Sequence, residues 1–296
     1  MQIKEYLAER KEPVDRFLAA HMERDEAACA TLRDAMKHTL FSGGKRFRPT
    51  LVIAAAELFG KPMETVMPTA CALELIHTYS LIHDDLPCMD DDDFRRGRPT
   101  SHKIFGEGMA VLAGDALLTA AFGLIAQNSR VPGVTQARVI EVISDVAQAC
   151  GAQGMVGGQA VDIESTGVEL GVDEIEIMDR LKTAALIAVC ARAGAVLAGA
   201  SESDRDSVTR YGRCLGIAFQ ISDDVLDAIG DESKMGKRLR KDKEKQKNSL
   251  VRAMGVDGAR ERARQYAEEA KRAVEPFGQR AFVLADLADL VVNRES

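Results

Sequence analysis

The chain has 296 residues, 46% of them hydrophobic and 29% charged, with a formal net charge of −7. That length supports a large buried core, and an acidic balance with no evident basic face excludes nucleic acid as the main partner. Six cysteines (Cys29, Cys71, Cys88, Cys150, Cys190 and Cys214) occur without a CxxC pair or a metal-ligand spacing, so they read as small core residues of a reducing compartment.

The first residues, Met1-Gln2-Ile3-Lys4-Glu5-Tyr6, lack the apolar centre of a signal peptide. Residues 2–22 and 24–39 carry apolar positions at i, i+3, i+4 spacing (Leu7, Val14, Phe17, Leu18; Ala28, Leu32, Met36) with charges between, which predicts amphipathic helices. Further helices are predicted over 48–59, 65–84, 108–128, 134–164, 173–199, 203–229, 256–274 and 279–292. No alternating strand pattern, divided linker or internal repeat interrupts them, so the expectation is one all-α domain over 1–296, a helix bundle. The longest apolar run, 184–200, is broken by Arg192 and falls short of a membrane span. The chain therefore reads as soluble and cytoplasmic, without stable membrane insertion.

Between the second and third helices, Gly43-Gly44-Lys45-Arg46-Phe47-Arg48 sets three cations behind two glycines. Backbone N–H groups and cationic side chains can converge there on a phosphate. It is not a Walker A loop, because Thr39 stands where that motif requires Gly; a solvated basic turn is the plain alternative. His77 stands seven residues before Asp84, two helical turns back on nearly the same face.

From Asp84 to Asp93 six carboxylates fill ten positions, and Arg95-Arg96 follow. Two like charges about 4 Å apart repel by about 4 kcal/mol at an effective dielectric near 20. A bound cation is the natural counter-ion, against the alternative of a solvated acidic loop. Pro87 bars the 65–84 helix from running far past Asp85, which leaves Asp84 and Asp85 at a helix C-terminus, where the macrodipole disfavours them.

Further on, Gln159 and Asp162 lie three apart on a Gly-rich helix and Lys182-Thr183 on the next. A second acidic cluster follows in Gln220-Ile221-Ser222-Asp223-Asp224-Val225-Leu226-Asp227, with Asp223 and Asp227 at i and i+4, a spacing that destabilises a bare helix. Two such violations, both relieved by a shared cluster of hard cations such as Mg²⁺, mark a functional site. The segment 230–249, rich in Lys and Arg, reads as a mobile basic loop and a candidate lid.

Asp84-Asp85-x4-Asp90 and Asp223-Asp224-x2-Asp227 resemble the two aspartate-rich motifs of the trans-prenyl diphosphate synthases, the family of farnesyl and geranylgeranyl diphosphate synthases. Gly43-Gly44-Lys45-Arg46-Phe47-Arg48-Pro49, Glu74-Leu75-Ile76-His77, Arg95-Arg96-Gly97, Gly158-Gln159-x2-Asp162, Lys182-Thr183 and Gly236-Lys237 fall in that family's order. The resemblance implies a large antiparallel helix bundle around a central cavity, a homodimer, and a Mg²⁺-dependent prenyltransferase that condenses isopentenyl diphosphate with allylic diphosphates. By the same resemblance three Mg²⁺ ions are held by Asp84, Asp85, Asp90, Asp223, Asp224 and Asp227. Gly44, Lys45, Arg48, His77 and Arg96 take isopentenyl diphosphate, and Arg95, Lys182 and Lys237 the allylic diphosphate. Thr183 and Gln220 lie near the developing cation, and Lys237 and Lys247 match lid lysines, although Arg240 and Asn248-Ser249-Leu250-Val251 depart from the family pattern.

Tyr79, five residues before the first aspartate motif, implies a farnesyl (C15) product by floor-stopping the growing chain. At 1.5 Å per residue it lies about 7.5 Å up the helix from Asp84; Ser80 lies closer to the line of Asp84 and is the alternative floor. A geranylgeranyl diphosphate synthase remains open. A class I terpene cyclase needs no second basic pocket, which Lys45, Arg48 and Arg96 speak against, and a non-catalytic synthase-like subunit would have lost aspartates that are intact here.

Overall fold

The structure, a computed structural model, describes residues 2–24, 29–229 and 248–294. Lys237, Lys247 and the proposed lid over 230–247 lie outside the described residues. The chain runs through α1 (Ile3–Arg24), α2 (Ala30–Leu40), α3 (Phe47–Leu58), α4 (Met67–Asp84), α5 (Ser101–Phe105), α6 (Glu107–Ala126), α7 (Gln136–Cys150), α8 (Met155–Glu164), α9 (Val172–Asp179), α10 (Ala185–Ala198), α11 (Glu202–Ile229), α12 (Leu250–Val274) and α13 (Phe282–Asn293). The fold is all-α, as expected.

A helix that is apolar on every side needs neighbours on every side. In α4 every residue from 67 to 76 is buried, and in α10 every residue from 186 to 198 except Arg192. α4 packs against α1, α2, α3 and α6, and α10 against α3, α7 and α11. Arg192 escapes the core by donating from Nε to Asp145 (2.7 Å) and from Nη2 to Glu141 (3.1 Å), which ties α10 to α7. Two stretches, Glu107–Arg130 and Val172–Ala198, have the length and composition of a membrane span; the second is 72% buried and serves as core.

Three departures from the periodicity shape the site. The helix predicted over 134–164 is two helices, α7 and α8, because Gly151 and Gly154 take non-helical dihedrals between them. The helix predicted over 173–199 contains a π turn, Arg180–Ala184, between α9 and α10, a widening of the kind that recurs at functional sites. A two-residue hairpin, β1 (Phe94–Arg95) with β2 (Arg98–Pro99), follows the acidic loop. Its turn residues Arg96 and Gly97 both have positive φ (53° and 74°), the backbone of a type I′ turn that ordinarily selects Asn-Gly. Two residues per strand are too few for an alternating pattern, and Arg hides the turn signal.

Candidate active site

The end of α4 is closed by its own loop. Asp85 caps the helix, and beyond it the amides of Asp90 and Asp92 donate back to the carbonyls of Asp84 (2.8 Å) and Asp85 (3.2 Å). Carbonyls that a helix end leaves without partners are thus satisfied, and Asp90 is brought beside Asp84. Both line a chamber of about 640 Å³, faced from α11 by Asp223.

A second chamber, about 730 Å³, lies alongside and is basic where the first is acidic: Gly44, Lys45 and Arg294 line it. The two share Arg48, His77, Arg96 and Phe219. Desolvation first, then the guanidiniums of Arg48, Arg96, Arg95 and Arg46, hold His77 well below the ordinary histidine value, so it faces both chambers as a neutral ring. Arg48 Nε is buried with no hydrogen-bond partner, a cost that an anionic ligand oxygen would remove. Arg96 donates to the carbonyl of Gly43 and covers Gly44 so closely that a Cβ there would sit 2.9 Å from its Nη1.

Arg46 does not join this group. It is 3% exposed and donates to Asp15 (2.6 Å), Glu74 (2.7 Å) and the carbonyl of Leu40 (2.7 Å), bracing α1, α2 and α4 from beneath. The expectation of three cations converging on a phosphate is therefore corrected to two, because three internal acceptors already consume the middle one.

The π turn faces the same chamber. Lys182 Nζ lies 2.5 Å from Asp162 Oδ2 on α8, an approach that requires glycine at 158, where a Cβ would lie 2.2 Å from the Lys182 amide. Thr183 Oγ1 donates to Gln220 Oε1 (2.7 Å), and Gln220 Nε2 donates to Asp224 Oδ1 (2.8 Å), which joins the π turn to the second acidic motif. Gln159 Oε1 is buried in this wall without a partner. Beneath it, burial pushes Asp179 up to about 7.

Of the six aspartates, Asp84, Asp90 and Asp223 line the acidic chamber; Asp85, Asp224 and Asp227 do not. Asp85 is 2% exposed and held by Arg95; burial raises its pKa, and Arg95 offsets part of that rise. Among the described residues no group of three His, Cys, Asp or Glu is close enough to hold a metal ion by itself. Hard carboxylate oxygens on two facing walls nonetheless fit Mg²⁺, which is ordinarily held by one or two carboxylates together with phosphate oxygens and water.

Tyr79 lies at the wall of the acidic chamber, 6% exposed, its ring edge-on to His83 (centroids 5.7 Å apart, planes at 81°). Met155, Val156, Ala160 and Ile163 of α8 make the apolar part of that wall. Sequence reasoning missed Arg294 and Phe219. An isolated arginine and a phenylalanine in an amphipathic helix carry no local signal; only the packing of α13 on α11 unites them.

The family model described as Polyprenyl synthetase matches residues 29–279. The chain belongs to the polyprenyl synthetase family. It is 40% identical to the farnesyl diphosphate synthase of Bacillus subtilis (strain 168) over 290 residues, 98% of this chain and 97% of the relative. Against the geranylgeranyl diphosphate synthase of Cyanophora paradoxa it is 44% identical over 292 residues, 98% of this chain and 96% of that one. The structure of the geranyltransferase from Helicobacter pylori, complexed with magnesium and isoprenyl diphosphate, superposes with a TM-score of 0.84 at 29% identity, covering 99% of this chain and 97% of that one. As a polyprenyl synthetase the protein is a prenyltransferase. Relatives named for farnesyl and for geranylgeranyl products match it about equally well, so identity does not choose the product.

Proposed function

We propose that this prenyltransferase condenses isopentenyl diphosphate with dimethylallyl and then geranyl diphosphate, releasing farnesyl diphosphate. The observation that carries this reading is the pair of chambers, one acidic and one basic, meeting at Arg48, His77, Arg96 and Phe219. Two diphosphates need two anion sites, and only one needs a leaving-group site.

Asp84, Asp90 and Asp223, with Asp85, Asp224 and Asp227 after local rearrangement, are proposed to hold Mg²⁺, three ions in all. Bound there, Mg²⁺ supplies Lewis-acid charge that stabilises the departing pyrophosphate. Arg95 and Lys182 add fixed positive charge on the same side, and Lys237 and Lys247 are proposed to close over it. Gly44, Lys45, Arg48, His77 and Arg96 orient isopentenyl diphosphate. As the allylic C–O bond breaks, the oxygen dipoles of the Thr183–Gln220 pair face the developing cation in a site from which water is displaced. The double bond of isopentenyl diphosphate attacks that carbon, and a proton then leaves to the pyrophosphate.

Tyr79 supports a C15 stop, since a bulky ring in the apolar wall of the acidic chamber leaves no room behind it. A geranylgeranyl product is the second reading: Val156 and Ile163 line the chamber while about half exposed (50% and 49%), so that wall is thin beside Tyr79. Exposed Leu112 on α6 and Ile140 on α7 are offered to a second copy of the chain, in a cytoplasmic homodimer of one domain per subunit. Incubation with Mg²⁺, dimethylallyl diphosphate and isopentenyl diphosphate, followed by phosphatase treatment, is expected to yield farnesol; geranylgeraniol as the main alcohol would overturn the C15 reading.

A further inference from the structure

The last helix reaches back to the acidic motif of α11. Arg294, just past α13, places Nη2 2.7 Å from Asp223 Oδ1, and the same nitrogen donates to the carbonyl of Phe219 (2.8 Å). Its guanidinium lies over the Phe219 ring, 4.1 Å from the centroid. The side chain is only 13% exposed, and its Nε is buried with no hydrogen-bond partner. Arg294 lines the basic chamber, Asp223 lines the acidic one, and Phe219 lines both.

A guanidinium has five donors in a fixed fork, and here one nitrogen serves Asp223 and Phe219 while Nε is left empty. Asp223 has two competing partners: Arg294, which occupies it in this structure, and the cation that the proposed function assigns to it. A carboxylate turned toward a divalent cation loses much of its attraction for a neighbouring guanidinium. The guanidinium then keeps its seat on Phe219 with its fork unfilled toward the basic chamber, whose ligand is an anion.

We propose that Arg294 is a positioning residue that couples the two chambers: it pairs with Asp223 while the acidic chamber is empty, and turns to the isopentenyl diphosphate side when Asp223 takes up its cation. This rests on the assignment of Asp223 to the metal and of the basic chamber to isopentenyl diphosphate. The two substrates then bind cooperatively with no large movement of the helices, because one side chain carries a charge from one chamber to the other. Such a coupling is a free energy shared reciprocally by both ligands, and values of fivefold or more in affinity are ordinary.

The test titrates isopentenyl diphosphate calorimetrically into the full chain, alone and with Mg²⁺ plus dimethylallyl thiodiphosphate, whose sulfur bridge resists cleavage. In the native protein the second condition is expected to tighten isopentenyl diphosphate binding by about fivefold or more. Arg294→Gln should bind it without Mg²⁺ much as the native protein does and lose the enhancement, with Arg294→Lys in between. Asp223→Asn should bind it tightly without Mg²⁺, since Arg294 is already released, and Asp223→Asn combined with Arg294→Gln should lose that gain. A gain that survives in the double variant is mere removal of negative charge and overturns the proposal, as does full enhancement in Arg294→Gln. Native protein that binds isopentenyl diphosphate in both conditions without enhancement overturns the coupling and leaves the pocket assignment standing; native protein that never binds it overturns both.

Discussion

Arg95 grips Asp85 with two nitrogens, Nη2 at 2.6 Å and Nε at 2.9 Å from Oδ1, and so covers one aspartate of the first acidic motif. Asp85 is 2% exposed, and charge at that depth is tolerable only while paired. Arg95→Ala should therefore destabilise the protein by about 3 kcal/mol, the low end for breaking a buried pair since Arg95 itself keeps some contact with water. Asp85→Asn, which removes the charge and keeps the shape, should cost less. Urea unfolding of both variants checks the order; equal losses would mean that packing and not charge is at stake.

His77 supplies a pH dependence with a defined sign. Its folded pKa is depressed, by desolvation and then by Arg48, Arg96, Arg95 and Arg46, so below about pH 6.5 the unfolded chain takes up a proton that the folded one refuses. The contribution is present above that pH and is lost as pH falls, with a limiting slope of about 1.4 kcal/mol per pH unit for one proton. His77→Gln should flatten the stability profile between pH 6.5 and 5, measured by denaturant midpoints. An anion in the basic chamber raises the His77 pKa, so isopentenyl diphosphate binding near pH 6 should take up protons, seen as a dependence of the binding heat on buffer ionisation enthalpy.

Gly158 sets the spacing between α8 and the π turn. A Cβ would stand 2.2 Å from the Lys182 amide, which is backbone and cannot yield as a flexible side chain does. Gly158→Ala should force α8 outward, lengthen the Lys182–Asp162 pair now at 2.5 Å and cost about 1–3 kcal/mol as overpacking. Turnover should fall more than tenfold while the KM for isopentenyl diphosphate, bound in the other chamber, changes little. A matching loss in both constants would argue for a general collapse.

Tyr79 is a test of the product length. Replacing it by Ala removes the bulk edge-on to His83 and should let chains reach C20 or beyond, read out as the alcohols released after phosphatase treatment. Ser80→Phe in the Tyr79→Ala background should restore shorter products only if Ser80 also faces the growing chain. A Tyr79→Ala enzyme that stays active and still stops at C15 would move the floor to another residue, with Ser80 or a residue of the facing α8 wall next in line.

Much of this was legible before any coordinates. The apolar residues on all sides of 67–76 and 186–198 called for central helices, and Pro87 called for a helix end at Asp84 and Asp85; short-range rules of this kind act within one or two turns and survive in any fold. The acidic clusters were legible for the opposite reason: they break local rules, and carboxylates at helix C-termini persist only where a function requires them. The chemistry of the residues thus announced a cation and a diphosphate.

Partnerships across the bundle were not legible. Lys45, Arg46 and Arg48 are alike in type and adjacent in the chain, yet Arg46 turns inward to Asp15 and Glu74 while Lys45 and Arg48 face the chambers. The π turn that joins Thr183 to Gln220, and Gln220 to Asp224, leaves the apolar periodicity of its helix almost untouched. Arg294 meets Asp223 across 71 positions of chain, a contact that exists only because α13 packs on α11. Local chain chemistry decides which groups are present and where each helix starts and stops, because those preferences are settled by near neighbours. Which charge answers which is settled by burial, since a guanidinium withdrawn from water must take whatever acceptor the packed helices bring to it.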